Sequence, residues 1–319
     1  MLKPQPRVEA AQRGVMKKIE TITIYGLGAL GMLFGSRLQK AYGADRVKFV
    51  MDSERYARHK NDRYTINDEP FAFSMQDVAE VTAPSDLVIV AVKGPALPSL
   101  LPMVQPSVGP ETVIISLMNG ISSEDMLAER YDRRQILDCI SIGMDAMRDG
   151  TDLHYTKMGK IQIGSRSGGQ KEQIEAVAAA LHGALVPYEV MEDIRTAMWH
   201  KYLINVGVNQ SCTAYETDYG HITSPGPIRD EMKEAMREVI RVAAAEGVTL
   251  SEKDIDEAIA LEKTLKPEGY PSMRQDAIAG RTTEVDLFAG TVIALGQKHG
   301  IPTPVNEKYR QMIDSESNM

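Results

Sequence analysis

Cysteine is scarce in this chain of 319 residues, which contains only Cys139 and Cys212. Two cysteines provide no disulfide framework, so we expect both to be small buried side chains of a cytoplasmic protein. No stretch of the sequence approaches the roughly 20 consecutive apolar residues of a membrane span, so no membrane association is expected. Positive charge is not in excess either: the formal net charge is −8, which argues against a nucleic-acid partner.

The length of the chain predicts two domains. Residues 1–17 are mostly polar or small and lack the apolar run of a signal peptide, so we expect a flexible N-terminal extension there. The sequence shows no internal repeat, no low-complexity segment and no cluster that predicts a metal site. The remaining composition, with 43% hydrophobic and 25% charged residues, is typical of an ordinary globular protein.

A glycine-rich turn near the start of the chain is the strongest motif. Residues 22–24 are β-branched and predict a buried strand, and the apolar residues of 30–38 recur at helical spacing. A strand that enters a helix through Gly26-x-Gly28-x-x-Gly31 is typical of a dinucleotide site, where the free N–H groups of the helix start favour a phosphate. A purely structural turn is the alternative. The predicted cofactor-binding residues of this loop are Gly26, Leu27, Gly28, Ala29, Leu30 and Gly31.

The end of the second predicted strand, residues 46–51, carries charged residues that bear on the choice of cofactor. Asp52 follows the last glycine by about 20 residues, the position at which dinucleotide folds bind the adenosine ribose hydroxyls. Its charge disfavours a 2′-phosphate and so favours NAD(H). Ser53, Arg55 and Arg58 follow at once and can cradle a phosphate, which favours NADP(H). The sequence leaves both cofactors open.

Two further strands end in polar residues. The apolar run of residues 85–93 predicts a central parallel strand, and residues 112–117 predict the next. Lys93 and Asn119 therefore lie at the carboxyl edge of the sheet, where open α/β sheets bind ligands. The alternatives are a solvated lysine and an Asn-Gly turn. Further strands at 138–142, 160–163 and 186–191, with a helix at 170–182, complete an α/β doubly wound domain over residues 18–192.

From Asp193 onward the periodicity is helical, which predicts an all-helical domain over residues 193–319. Asp193 is a candidate cap, and Lys201 falls on the apolar face of the helix that follows. A lysine on such a face has a lowered pKa and suits a general acid, unless its aliphatic stem snorkels and leaves the ammonium in water. Asn205 and Asn209 lie about 40° and 80° round the helix from Lys201, so the three polar ends are expected to share one pocket.

Farther along, Thr283 is predicted to cap a helix whose first turn contains Glu284 and which ends at Gly300. The helix dipole favours a carboxylate in the first turn, so simple capping explains Glu284 on spacing alone.

In these segments, taken in order, the chain resembles the ketopantoate reductase (2-dehydropantoate 2-reductase) family from about residue 22 to residue 313. The resemblance rests on the glycine motif and on the following segments: Ala91-Val92-Lys93, Met118-Asn119-Gly120, the seven residues 199–205 with Lys201, the six residues 209–214, the six residues 271–276 with Ser272, and Thr283-Glu284-Val285-Asp286.

The resemblance implies a Rossmann-type sheet followed by an all-helical domain, as in 6-phosphogluconate dehydrogenase. It implies reduction of ketopantoate with NADPH on the route to coenzyme A, with Lys201 protonating the developing alkoxide. A homodimer is compatible with the family. The implied roles are catalytic for Lys201, Glu284 and Asn119, substrate-binding for Asn205, Asn209 and Ser272, and cofactor-binding for Lys93, Asn119, Asp52 and Arg55.

Three departures from the family pattern leave alternatives open. Met118 replaces a common glutamine, Gln210-Ser211-Cys212 replaces the commoner Pro-Leu before Thr-Ala, and Asp52 stands where a basic or neutral residue is usual. A reductase of another branched 2-keto acid and a nucleotide sensor without catalysis are therefore the competing hypotheses. A sensor has no need of Lys201, Asn205 and Glu284 together.

Overall fold

The computed structural model describes residues 18–317, so the extension expected for residues 1–17 lies outside the described residues. In that range the strands come first and the helical bundle follows. The strands of the described residues are β1 (Ile22–Tyr25), β2 (Val47–Met51), β3 (Tyr64–Ile66), β4 (Glu69–Phe71), β5 (Met75–Asp77), β6 (Leu87–Val90), β7 (Val113–Ser116), β8 (Ile136–Met144), β9 (Met147–Asp149), β10 (Asp152–His154), β11 (Met158–Gly164) and β12 (Tyr188–Val190).

Eight of these strands form one sheet in the order β12-β11-β8-β7-β6-β1-β2-β5. All neighbours in it are parallel except β8 and β11, which pair antiparallel. Each strand that the sequence predicts coincides with one of these eight. A second, small sheet with the order β4-β3-β10-β9 was not predicted, because its strands are only three residues long and largely carry exposed or half-buried residues.

The helices of the described residues divide between the sheet and a separate bundle. They are α1 (Ala29–Tyr42), α2 (Ser53–His59), α3 (Leu97–Val104), α4 (Ser123–Ala128), α5 (Lys171–Gly183), α6 (Ile194–Ile204), α7 (Gln210–Ala214), α8 (Tyr219–Thr223), α9 (Pro227–Ala245), α10 (Glu252–Glu262), α11 (Ser272–Ile278), α12 (Thr291–His299) and α13 (Pro304–Ser317).

Both faces of the large sheet are covered. The buried side chains of α1 and α5 pack on one face, and those of α3 and α4 pack on the other. Strands buried on both sides are the reason that residues 87–90 and 113–116 are almost continuously apolar. This arrangement confirms the predicted doubly wound α/β fold. We refer to residues 18–192 as the sheet half of the molecule.

Residues 193–317, the helical half, pack around the long helix α9. Its buried face, with Met232, Met236, Val239 and Val242, lies in an apolar core to which α6, α10, α12 and α13 also contribute. Both cysteines are buried and free, as the sequence predicts. Among the described residues, no helix combines the length and the apolar character that crossing a membrane requires.

The helix that carries Lys201 is confirmed at its start and differs from the prediction at its end. Asp193 caps α6 by accepting a hydrogen bond from the Thr196 amide at 3.0 Å. The prediction of a regular α-helix through Asn209 was wrong, because residues Asn205–Asn209 form a π-helical turn before α7 begins. A second π-helical turn, Asp286–Gly290, precedes α12 and lies against the first.

That second π-helical turn corrects the prediction for Thr283 and Glu284. Helical backbone begins at Val285 and passes at once into the π-helical turn, so Glu284 is the residue that precedes the first turn and Thr283 is not its cap. The backbone carbonyl of Glu284 accepts the amides of Leu287 and Phe288 at 3.0 Å each. Glu284 is therefore anchored to the helix by its backbone, and its side chain is free to point elsewhere. Gly300 ends α12 in a left-handed conformation, as predicted.

Gly31 and Gly28 differ in how much room there is for a side chain, and this difference can be tested. A Cβ atom on Gly31 would lie 2.0 Å from the carbonyl oxygen of Gly26, so Gly31→Ala forces the helix away from the strand. We expect this variant to lose about 1–3 kcal/mol or more of the free energy of unfolding in urea. Gly28→Ala is the matched control, since its Cβ would meet only the Ala91 oxygen, at 3.8 Å. Equal stability of the two variants would contradict the packing described here.

Candidate active site

The carboxyl edge of the large sheet carries four of the predicted residues side by side. The strands β2, β1, β6 and β7 are neighbours, run parallel and end at the same edge. Asp52, Gly26, Lys93 and Asn119 follow these four strands in that order. The residues that the sequence assigned to the adenosine ribose and to the nicotinamide end thus lie at opposite ends of one row, with the glycine turn between them.

The glycine turn has the geometry of a dinucleotide cradle. Gly26 has a φ of +113°, and a Cβ atom there would lie 2.3 Å from the Ala91 carbonyl oxygen, so only glycine fits. A Cβ atom on Gly28 would contact only the Ala91 oxygen, at 3.8 Å, and Gly28, the residue before α1, offers no side chain to cap the first turn of the helix. The first amides of α1 therefore stay available to an anion. The residues present fit the phosphates of a dinucleotide.

The charged residues after β2 are already engaged with one another. Asp52 caps α2 by accepting the Arg55 amide at 2.7 Å, and the Arg55 guanidinium lies 3.5 Å from the second carboxylate oxygen of Asp52. Ser53 donates to Asp77, and Arg58 pairs with Glu54. Of the three candidates for a phosphate cradle, Arg55 is therefore the cation beside Asp52.

Lys201 holds its ammonium inside the protein, where the helical half meets the sheet half. The Nζ atom donates to the backbone carbonyl of Ser141 on β8 at 2.7 Å and to the Oδ1 atom of Asn119 at 3.1 Å. Burial lowers the pKa of this lysine to about 8, and the Glu284 carboxylate partly opposes that shift. An ammonium has three N–H donors, and these two acceptors leave one for a ligand. The ammonium is thus bonded within the protein instead of snorkelling.

Asn119 joins Lys201 to Glu284. Its amide Nδ2 donates to the Oε2 atom of Glu284 at 2.9 Å, while its Oδ1 accepts from the lysine. The two contacts fix the orientation of the amide. Glu284 is 8% exposed, and burial raises the pKa of its carboxyl above the usual range. Gly120, with a φ of +91°, makes the turn that the Asn-Gly pair predicts. Asn119 therefore lies in the Asn-Gly turn and also makes the hydrogen bonds to Lys201 and Glu284.

The second polar group consists of the two asparagines and the start of α11. Asn209 donates to the Oδ1 atom of Asn205 at 3.1 Å and accepts from the Met273 amide at 3.3 Å and from the Ser272 hydroxyl at 3.5 Å. The Nδ2 atom of Asn205 is buried and has no hydrogen-bond partner in the described part of the chain. Buried amides are rarely left unpaired, and this donor is available to a ligand. Lys201 makes no hydrogen bond to either asparagine.

Lys93 contacts the helical half across the cleft. Its Nζ donates to Oδ2 of Asp276 at 2.7 Å, and Arg281 bonds the other oxygen of the same carboxylate at 2.7 Å. The side chain of Leu287 lies against Gly94 and Gly120 at the sheet edge. Reasoning from the sequence assigned no role to Asp276, although it stands four residues after Ser272. It also missed the Ser141 carbonyl, which no sequence pattern reveals because it is a backbone atom.

Both halves of the chain match models of a known protein family. Residues 22–168 match the family model described as "Ketopantoate reductase PanE/ApbA", and residues 193–315 match "Ketopantoate reductase PanE/ApbA C terminal". A 2-dehydropantoate 2-reductase of Streptococcus pyogenes is 25% identical over 92% of this chain and 97% of its own length.

Solved structures are similar over nearly the whole chain. A 2-dehydropantoate 2-reductase of Geobacter metallireducens has a TM-score of 0.81 and 25% identity, covering 92% of this chain and 99% of that one. A ternary complex of D-mandelate dehydrogenase with NADH and anilino(oxo)acetate has a TM-score of 0.81 at 22% identity, covering 93% and 98% of the two chains. The second likeness, at this identity, shows a shared fold.

The pKa of Lys201 can be measured without any substrate. We expect competitive acetylation followed by mass spectrometry to give Lys201 a pKa of about 8, below that of an exposed lysine. Glu284→Gln should lower it further, because the carboxylate that favours the ammonium is removed while a hydrogen-bond acceptor for Asn119 is kept. Glu172→Gln, exposed at the start of α5, is the control. An ordinary lysine pKa at this position would contradict the buried ammonium.

Proposed function

The chain belongs to the ketopantoate reductase family, whose members are oxidoreductases, and from this we propose that it reduces 2-dehydropantoate to pantoate with NADPH, with Lys201 as the general acid. One observation carries the proposal: the Lys201 ammonium is fixed by Ser141 and Asn119 with one N–H left over. A non-catalytic nucleotide sensor gives no reason to bury a lysine in this way, since the burial costs free energy.

The proposed mechanism needs one proton donor and one hydride. A bound reduced nicotinamide supplies the hydride to the keto carbon. Lys201 directs its free N–H at the keto oxygen, stabilises the negative charge that develops there and then gives up its proton. A pKa of about 8 keeps the ammonium protonated at neutral pH and makes proton transfer easier than from an ordinary lysine. Reduction should therefore slow as the pH rises above about 8.

Asn119 and Glu284 have positioning roles in this proposal. The Asn119 amide bonds both side chains, so it holds the ammonium in one place relative to the end of β7. The Glu284 carboxylate favours the charged form of Lys201, and this interaction limits how far burial lowers the lysine pKa. A keto acid carries a carboxylate, and we assign its binding to Asn205, Asn209 and Ser272. The unpaired Nδ2 of Asn205 is the donor that the substrate would satisfy.

The cofactor proposal rests on the row of residues along the sheet edge. Gly26, Leu27, Gly28, Ala29, Leu30 and Gly31 would hold the pyrophosphate, and Lys93 and Asn119 would lie beside the nicotinamide end. Asp52 would bind the adenosine ribose. Because Arg55 lies beside Asp52 and partly offsets its charge, we assign Arg55 to the 2′-phosphate of NADPH. We also propose that residues 18–192 and 193–319 act as separate cofactor and substrate domains.

A second candidate substrate is a 2-keto acid with a larger apolar group. An open cavity of about 380 Å³ lies between α6 and the sheet, and its wall includes Lys201 and the apolar residues Ile140, Ile142 and Ile204. Asn119, Asn205, Asn209 and Ser272 are not in its wall, so the cavity borders the lysine from another side than the proposed substrate-binding residues. The D-mandelate dehydrogenase with the similar fold was solved with anilino(oxo)acetate, an aromatic 2-oxo carboxylate whose oxo group is an amide carbonyl.

The test of the proposed function is the loss of reduced-nicotinamide absorbance with purified protein. We expect rapid oxidation of NADPH with ketopantoate, slower oxidation of NADH, and slower reaction with phenylglyoxylate. A faster reaction with NADH would support the proposed reaction and would show that Asp52 determines the preference for NADH. A faster reaction with phenylglyoxylate would select the larger substrate. Dinucleotide binding without oxidation by any keto acid would favour the sensor and overturn the proposal.

Replacement of the lysine tests the mechanism. We expect Lys201→Ala to lower kcat by about 10²–10⁴-fold, the usual contribution of a general acid, while the Kd for NADPH stays within about threefold of the wild type. The control is Lys157→Ala, which removes an exposed lysine of the sheet half and should leave kcat unchanged. Normal turnover by Lys201→Ala would show that another group supplies the proton.

A further inference from the structure

A guanidinium lies directly against the glycine turn. Arg148, on β9 of the small sheet, donates through Nη1 to the backbone carbonyl of Leu27, the residue between Gly26 and Gly28. Its Nε donates to the carbonyl of Gly150 at 2.7 Å. Two backbone carbonyls thus hold the head group in one orientation. The hairpin that carries Arg148 has no other chemistry assigned to it.

Arg148 forms no ion pair in the described part of the chain. Across residues 18–317, no carboxylate lies within 4.0 Å of its guanidinium, and its Nη2 atom has no hydrogen-bond acceptor. In the sheet half, Arg58, Arg134 and Arg166 pair with carboxylates, whereas Arg37, Arg46, Arg63 and Arg130 share with Arg148 the lack of an ion pair among the described residues. A guanidinium with carbonyl partners alone keeps its full charge and its planar fork for an anion.

Space for such an anion lies next to it. A Cβ atom on Gly28 would have only one non-neighbouring atom within 4 Å, the Ala91 oxygen at 3.8 Å, so the turn is uncrowded on this side of Gly28. The uncapped first amides of α1 border the same turn. An anion bound at the N-terminus of α1 would therefore lie next to the peptide that Arg148 contacts.

We propose that Arg148 is a further cofactor-binding residue, whose guanidinium contacts a phosphate of the bound dinucleotide. The inference rests on the proposed dinucleotide binding and adds to it a cation from outside the β1–α1 unit. The hairpin of β9 and β10 is then part of the binding site. The contact chemistry is a phosphate oxygen accepting from the guanidinium fork, and the phosphate is either the pyrophosphate or the 2′-phosphate.

Arg37 provides a matched control for the structural role of the hairpin. It lies on α1 and donates through Nη2 to the Tyr155 hydroxyl at 3.1 Å, so it also joins the hairpin region to the β1–α1 unit. It does so away from the glycine turn, at the ninth residue of α1. Loss of either arginine removes one tie between α1 and this region, and only Arg148 adjoins the turn.

The experiment measures the Kd for NADPH and for NADH by titration calorimetry with the full chain. We expect Arg148→Ala to weaken binding about 10- to 100-fold, as for a charge-assisted hydrogen bond, and Arg148→Lys to weaken it less, since a cation remains. Arg37→Ala should bind both dinucleotides like the wild type. Thermal melts of all variants accompany the titrations to show that each is folded.

The pattern of losses separates the two phosphates. Equal weakening of NADPH and NADH supports a pyrophosphate contact, and weakening of NADPH alone supports a 2′-phosphate contact. Unchanged Kd values in Arg148→Ala, with a melting temperature lowered as in Arg37→Ala, would reduce Arg148 to a structural tie and overturn the inference. A wild-type chain that binds neither dinucleotide would remove the proposed function itself, and the inference with it.

Discussion

Compensation of the buried Lys201 ammonium is the constraint on which the site depends. A buried cation costs several kcal/mol unless nearby oxygens replace its water. The lysine comes from α6 of the helical half, and both acceptors, the Ser141 carbonyl and Asn119, come from the sheet half. Glu284, which also belongs to the helical half, accepts a hydrogen bond from the Asn119 amide. Oxygen atoms of the sheet half therefore replace water around a charge of the helical half. This requirement restricts how the two halves can pack together.

Much of the sheet half could be predicted from the sequence, because parallel strands buried on both faces are almost continuously apolar and end at one edge. That edge located Asp52, Lys93 and Asn119, and the polar break in the apolar face of α6 located Lys201. The misses have physical reasons. The Ser141 contact is made by a backbone carbonyl, and the ion pair between Lys93 and Asp276 joins residues 183 positions apart.

Local backbone geometry also limited what could be predicted from the sequence. The π-helical turns at Asn205–Asn209 and Asp286–Gly290 leave no mark in an apolar pattern that fits an ordinary helix. Thr283 had the sequence of a cap and was not one, since the helix starts beyond Glu284. The small sheet was missed because three-residue strands with mixed exposure carry too little periodicity. The residues that the sequence predicts least well are thus those that give the site its detailed shape.

The two π-helical turns also limit how this chain can change in length. A π-turn holds one residue more than the α-helical turn that it replaces, so it behaves as an insertion absorbed without a loop. Deleting one residue between Asn205 and Asn209 would restore a regular helix, and the helices on either side would keep the faces that they now present. The change would be confined to the turn, where Asn209 would lose its alignment with Asn205 and Ser272. A single-residue deletion here is therefore compatible with the packing of α7 against α13 and incompatible with the polar group at the turn.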